Sequence, residues 1–275
     1  MALTQFQRAI CRLIAANRLA TGESYVAGGV ALNELLAAPR TSRDIDLFHD
    51  TEAALDATWM ADRRLLEGQG FAVGVLRERP SYIEAQVSLG DETVLMQWTR
   101  DSAFRFFPLI EHEDLGLTLH PFDLATNKVL ALVGRLEVRD WVDVIHCHDG
   151  IQPLGFLVWA ACGKDPGFSP EGILEHAARS SRYSADEVRG LSFDGKSPDP
   201  AALSRKWHAM LSSAVEIVAT LPAEEVGKCV LARDDRLFRG DVSELRSALD
   251  LGTVIFHPGR IRGALPRLRT RPGES

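Results

Sequence analysis

A chain of 275 residues with 45% apolar and 25% charged residues has the composition of a folded protein, not of a disordered or fibrous one. Its net charge of −7 argues against a broad, non-specific nucleic-acid surface. No run of about 18 apolar residues marks a membrane span.

In chain order, residues 3–18 place Leu3, Phe6, Ile10, Leu13 and Ile14 at helical spacing. Ser24 to Ala27 leads into Gly28-Gly29, and Val30 to Leu36 reads as a short helix ended at Pro39. Ile45 to Phe48 reads as a strand and Thr51 to Glu67 as a helix, closed by Gly68 and Gly70. Three strands are expected next, Phe71–Leu76, Tyr82–Leu89 and Glu92–Trp98, the last two joined by a Gly90-Asp91 hairpin turn. After His120-Pro121 the period becomes helical: Phe122–Leu136, Arg139–Cys147 as a second helix or a bent continuation, then Phe156–Cys162, Pro170–Ala178, Ala185–Leu191, Ala201–Leu221 and Val242–Leu249. Ser169 and Ser184 are expected N-caps. The expected fold class is α+β: a mixed sheet with flanking helices over residues 1–120, then a mainly helical half over 121–275.

Charge is unevenly shared. Residues 1–120 hold 11 Arg, no Lys and 17 acidic residues, whereas residues 121–275 hold 20 basic and 21 acidic residues. The Arg-rich tail from Arg260 reads as a frayed end. The amphipathic start, Met1 to Arg12, lacks the basic opening and unbroken apolar stretch of a secretion signal. Cys11, Cys147, Cys162 and Cys229 are widely spaced. They fit reduced, buried thiols in the cytoplasm rather than disulfides or zinc ligands.

Two segments carry chemistry. In the first, Gly28 and Gly29 have no Cβ, so backbone N–H groups can approach a phosphate, and the helix they open adds partial positive charge. Asp44 and Asp46 alternate with Ile45 and Leu47, which puts both carboxylates on the non-core face of one strand. Such a pair suits Mg²⁺, which takes a few carboxylates plus substrate phosphate oxygens. The polar run Arg40, Thr41, Ser42, Arg43 suits a phosphate-facing turn. An isolated acid pair is common on surface strands, and its setting here is what gives it weight.

The second segment runs from Asp123 to Asp143. Lys128 is the first of only five lysines, and on one straight helix Lys128, Arg135 and Arg139 form a stripe bordered by Asp140 and Asp143. The stripe can grip a triphosphate, or it can be a solvated face laced with ion pairs. Asp140 can equally be the N-cap of a new helix. No nucleophile elbow, P-loop or zinc-protease motif occurs, and the eight histidines have no ligand spacing.

Together, the glycine pair followed by Asp44-Ile45-Asp46-Leu47, and then Asp123-x4-Lys128, Arg135 and Arg139-Asp140-x-x-Asp143, resemble the AbiEii nucleotidyltransferase toxin family of the DNA polymerase β-like superfamily, over roughly residues 22 to 150. The resemblance implies transfer of a nucleoside monophosphate from an NTP with release of pyrophosphate. It implies Mg²⁺ on Asp44 and Asp46, phosphate at Gly28 and Gly29, and Lys128 reaching the nucleotide with Arg135 or Arg139 assisting. Arg40 and Ser42 stand where the family often has Arg and Thr, and Asp143 closes the last motif. An RNA acceptor, the 3′ end of tRNA, and a cognate antitoxin follow as implied partners.

Two departures matter. The superfamily's third carboxylate falls on Gln97, an amide that carries no charge and accepts no proton. Glu84 or Asp101 is left to replace it. Val30 stands where a hydroxyl residue often follows the glycines. Gln97 keeps open a catalytically weakened relative that binds nucleotide, RNA or a partner protein, and the lack of a strongly basic surface keeps open an enzyme that modifies a small molecule.

Overall fold

The computed structural model describes residues 3–179 and 183–266. A seven-stranded sheet organises the first half, in the order β3-β4-β5-β2-β1-β8-β7. Its strands are β1 (Ser24–Ala27), β2 (Asp44–His49), β3 (Ala72–Arg79), β4 (Tyr82–Leu89), β5 (Glu92–Arg100), β7 (Ile110–His112) and β8 (Gly116–Thr118). β2 lies antiparallel to β1 and parallel to β5, and β3, β4 and β5 form an antiparallel meander. Gly90 turns the β4–β5 hairpin at φ 60°.

Alternation fixes the two faces. Ile45, Leu47, Met96 and Trp98 are fully buried, under α1 (Gln5–Thr21) and α3 (Glu52–Gly68). α1 begins at a capping box between Thr4 and Gln7 and ends at Gly22 in the left-handed region. Asp62 of α3 binds the indole N–H of Trp98 at 2.9 Å and pairs with the buried Arg18 of α1. The opposite face, with Asp44, Asp46, Gln97 and Glu84, is half-exposed.

α2 (Gly28–Leu35) joins β1 to β2 and packs against α4 (Pro121–Arg135) and α5 (Val138–Gly150). The remaining helices are α6 (Leu154–Ala161), α7 (Pro170–Arg179), α8 (Ala185–Arg189), α9 (Pro200–Thr220) and α10 (Val242–Asp250). They pack largely around the fully apolar α6 and the buried Trp207. Ser184 caps α8 as expected.

The second half is not only helical. β9 (Lys228–Ala232) and β10 (Val254–Pro258) pair antiparallel, and β6 (Phe104–Arg105) pairs with β11 (Arg260–Ile261), which returns the chain to the first half. These short strands were missed because each is too brief to display a period. The hydrophobic core is continuous across residue 120. The four cysteines are free and buried. Among the described residues, no helix is long and apolar enough to cross a membrane. Of the Arg-rich tail, Arg267, Arg269 and Arg271 lie outside the described residues.

Candidate active site

The glycine pair is explained by what presses on it. Ala27 pairs with Asp46 across β1 and β2, so Gly28 sits directly beside the Asp46 side chain. Gly28 has φ 65°, and a Cβ there would overlap the Asp46 carboxylate. A Cβ on Gly29 would lie 2.7 Å from the Arg40 guanidinium and 3.1 Å from Ser42 Oγ. The glycines therefore let the acid, Arg40 and Ser42 close around one turn. α2 begins there with no side-chain cap and no acid in its first turn, which leaves N–H groups for an anion.

Asp44 and Asp46 share the half-exposed face of β2, as the alternation predicts. Asp44 has a long contact, 3.8 Å, with Arg139. Among the described residues no donor comes within hydrogen-bonding or ion-pair distance of the Asp46 carboxylate. Burial pushes its pKa up, Lys128 opposes this, and the Asp44 charge adds to it.

Register places the missing third acid. A single row crosses the sheet through Ala27, Asp46, Gln97, Glu84 and Arg77. Gln97 stands directly opposite Asp46, so an amide occupies the position next to the pair. Glu84 is one strand further, with its backbone about 10 Å from Asp46 at the usual strand spacing. It accepts a hydrogen bond from Gln97 Nε2 at 3.4 Å and pairs with Arg77 at 3.5 Å. Asp101 lies four residues beyond Gln97, about 13 Å along the strand. Of the two candidates, Glu84 shares the row and Asp101 does not.

The cations behave differently from the expected stripe. Leu136, at φ 53°, ends α4 in the left-handed region and α5 starts at Val138, so Arg139 is not on the helix of Lys128 and Arg135. Asp140 is not a cap either, because Glu137 occupies that position. Asp140 and Asp143 instead hold the cations together. Arg40 donates to both oxygens of Asp143 at 2.6 and 2.8 Å. Lys128 Nζ lies 2.9 Å from Asp140 and 3.1 Å from Asp143, and Arg135 makes a two-pronged contact with Asp140 at 2.6 and 2.9 Å. Both acids are fully buried, and Arg40 and Lys128 nearly so. Lys128, held charged by these two acids, has its pKa raised despite burial.

Among the described residues no three His, Cys, Asp or Glu side chains converge as a ready-made metal cage. Two adjacent carboxylates, one of them half-buried and unpartnered, are the donor set of a site that Mg²⁺ shares with substrate phosphates, so the residues fit that ion.

No protein-family model matches the chain, and no curated protein matches it in sequence. Solved structures do. MenT4, a nucleotidyltransferase toxin from Mycobacterium tuberculosis H37Rv, superposes with a TM-score of 0.52 at 16% identity, covering 79% of this chain and 84% of its own. A candidate nucleotidyltransferase from H. pylori gives a TM-score of 0.50 at 14% identity, covering 80% of this chain and 99% of its own. The chain has the nucleotidyltransferase fold.

Within this nucleotidyltransferase fold, three features have roles that the sequence reading did not assign. Phe48 continues the alternation of Asp44 and Asp46 onto the same face, a signal that was available. Asp123 accepts the backbone N–H groups of Phe106 and Phe107 at 2.9 and 3.0 Å and pairs with Lys164 at 2.9 Å. Asp50 holds Arg105 through two hydrogen bonds, 2.8 and 3.0 Å. These last two ties span 16 to 55 residues of sequence, and no local pattern announces them.

Proposed function

We propose that this chain is a Mg²⁺-dependent nucleotidyltransferase that moves a nucleoside monophosphate from an NTP to an acceptor hydroxyl. The observation that carries the reading is the half-buried, unpartnered Asp46 beside Asp44 and against the glycine turn that opens α2. Asp44 and Asp46 hold the ion, which when bound neutralises phosphate charge. The N–H groups at Gly28 and Gly29 receive phosphate oxygens. The acceptor oxygen attacks the α-phosphorus as its proton passes to the Glu84 carboxylate, and the bond from phosphorus to the bridging oxygen breaks to release pyrophosphate. Glu84, in the same row, is the carboxylate assigned to the acceptor side. Lys128 is held by its two buried acids and its charge acts on Asp46, so it is fixed in place for the nucleotide, with Arg139 nearest to Asp44. Arg40 and Asp143 fix Lys128 and the glycine turn rather than reaching the nucleotide. Ser42 and Arg135 border the same turn and cluster.

The acceptor we propose is RNA, the 3′ end of tRNA, and the role that of a toxin paired with an antitoxin, acting in the cytoplasm. The likeness to MenT4, described as a nucleotidyltransferase toxin, supports the toxin role. The motif resemblance supports the acceptor. Purified protein with Mg²⁺, each α-labelled NTP and total tRNA tests the reading. Label should move onto RNA with wild type and not with Asp44→Asn or Asp46→Asn. Transfer only to a small molecule would redirect the acceptor, and equal labelling by the variants would refute the reading.

A second reading rests on Gln97, which holds the place beside Asp46. On that reading the chain binds nucleotide and turns it over poorly. Gln97→Asp then raises transfer at least about tenfold, whereas a fully active wild type gains nothing from it.

A further inference from the structure

We infer that the cavity beside the acid pair is a nucleobase pocket in which Asn127, through its free Nδ2 donor, selects a base that presents a ring carbonyl. The inference rests on the nucleotidyl transfer proposed above. The cavity encloses about 280 Å³, and Tyr25, Phe48, Phe104, Leu130, Asn127 and Lys164 are among its lining residues. Tyr25 pairs with Phe48 in the row next to that of Ala27 and Asp46. The cavity therefore begins two residues, about 7 Å, along β2 from Asp46 on the same face. A base seated there stands one sugar away from a phosphate at the acids. Aromatic and aliphatic walls suit a flat heterocycle.

The polar end is built by Lys164, whose side chain is only 8% exposed. Its ammonium has three protons and meets three acceptors: Asp123 Oδ1 at 2.9 Å, the Asp123 backbone carbonyl at 3.1 Å and Asn127 Oδ1 at 2.8 Å. Lys164 thus has no donor left for a ligand. Its effect is to fix the Asn127 amide. An asparagine side chain offers both a donor and an acceptor; here Lys164 donates to the oxygen and so orients the amide, turning the Nδ2 group away from it. The Nδ2 group has no protein partner among the described residues, and it is not one of their buried, unsatisfied atoms.

The frame is rigid. Asp123 also ties down the backbone at Phe106 and Phe107, and β6, which carries Phe104, is paired with β11. A fixed donor reads an acceptor. Guanine, uracil and cytosine each offer a carbonyl, whereas adenine accepts only through ring nitrogens and presents an amino group where guanine has O6, so the donor disfavours adenine when it meets that edge of the base. Asp101 also lines the cavity and can accept from a base N–H.

The test measures kcat/KM for the four labelled NTPs on one RNA acceptor, and calorimetric binding of the same NTPs with Mg²⁺, for wild type, Asn127→Asp and Asn127→Ser. Wild type should disfavour ATP by at least about tenfold, the worth of one unmatched hydrogen bond. Asn127→Asp should weaken the carbonyl-bearing nucleotides about tenfold and improve ATP. Asn127→Ser, a smaller change that guards against a folding failure, should flatten the preference without favouring ATP. A second panel fixes the NTP and varies the terminal base of the RNA. A shift confined to that panel assigns the pocket to the acceptor's last base. Unchanged ratios in both panels overturn the pocket while leaving transfer intact. If wild type neither binds nor transfers any NTP, the transfer reading fails, and the pocket fails with it.

Discussion

Two groups of charges lie within a few residues of each other in this fold and are treated in opposite ways. Asp44 and Asp46 stand on a half-exposed sheet face, with one long contact to Arg139 and, among the described residues, no partner for Asp46. Arg40, Lys128, Asp140 and Asp143 are sealed away and satisfy one another. The contrast separates charge kept available from charge kept in place. A buried ion cluster is weak evidence for net stability, yet removing one member leaves its partners stranded. An unpartnered carboxylate costs the fold something and persists where a ligand uses it.

The largest expected effect falls on the sealed cluster. Asp143→Ala leaves Arg40 without its carboxylate and Lys128 with one acid instead of two. Unfolding in urea should show a loss of about 3–5 kcal/mol. A loss below about 1 kcal/mol would mean that the cluster is solvated and the contrast false.

Asp46→Asn should do the reverse, cutting nucleotidyl transfer on the order of 10³-fold while stability holds or rises. The sign follows from burial, which raises the folded-state pKa of Asp46. Its ionisation then opposes folding, so its contribution declines as pH rises through that pKa. The variant should gain on wild type in urea midpoint as pH rises from acid to neutral, and the two should converge below the carboxylate range.

Gly28→Ala joins the two groups. The left-handed backbone and the overlap with Asp46 should cost about 1–3 kcal/mol, and transfer should fall with it, because the acid must move aside. The smallest effect is assigned to Glu84→Gln, about a tenfold loss of transfer with stability within about 0.5 kcal/mol of wild type. An unchanged rate would remove Glu84 from the acceptor side.

The sequence made the acid pair readable because strand alternation is strict, so Asp44 and Asp46 had to share a face once Ile45 and Leu47 were core. The glycine turn was readable as a turn, but not the reason for each glycine, since Asp46 and Arg40 approach it through tertiary pairing. The β4–β5 hairpin was visible in Gly90-Asp91, and it was the register of β2 on β5 that ranked Glu84 above Asp101. Such a register is set by packing across the sheet and leaves no local mark. The cation stripe misled because Leu136 is an apolar residue in a left-handed cap, where glycine is the usual signal. That Asp143 neutralises rather than borders an open stripe depends on Arg40, 103 residues away in sequence.

The central claim is that the open pair is a cation seat completed by nucleotide. It is tested most directly by titrating Mn²⁺, a spectroscopic stand-in for Mg²⁺, into the protein with and without NTP while following free Mn²⁺ by electron paramagnetic resonance. Wild type and a control at an exposed acid of α3, Asp56→Asn, should bind Mn²⁺ much more tightly with NTP present, and Asp46→Asn should lose that gain by at least about tenfold. Equal NTP-dependent binding by Asp46→Asn and wild type would contradict the account.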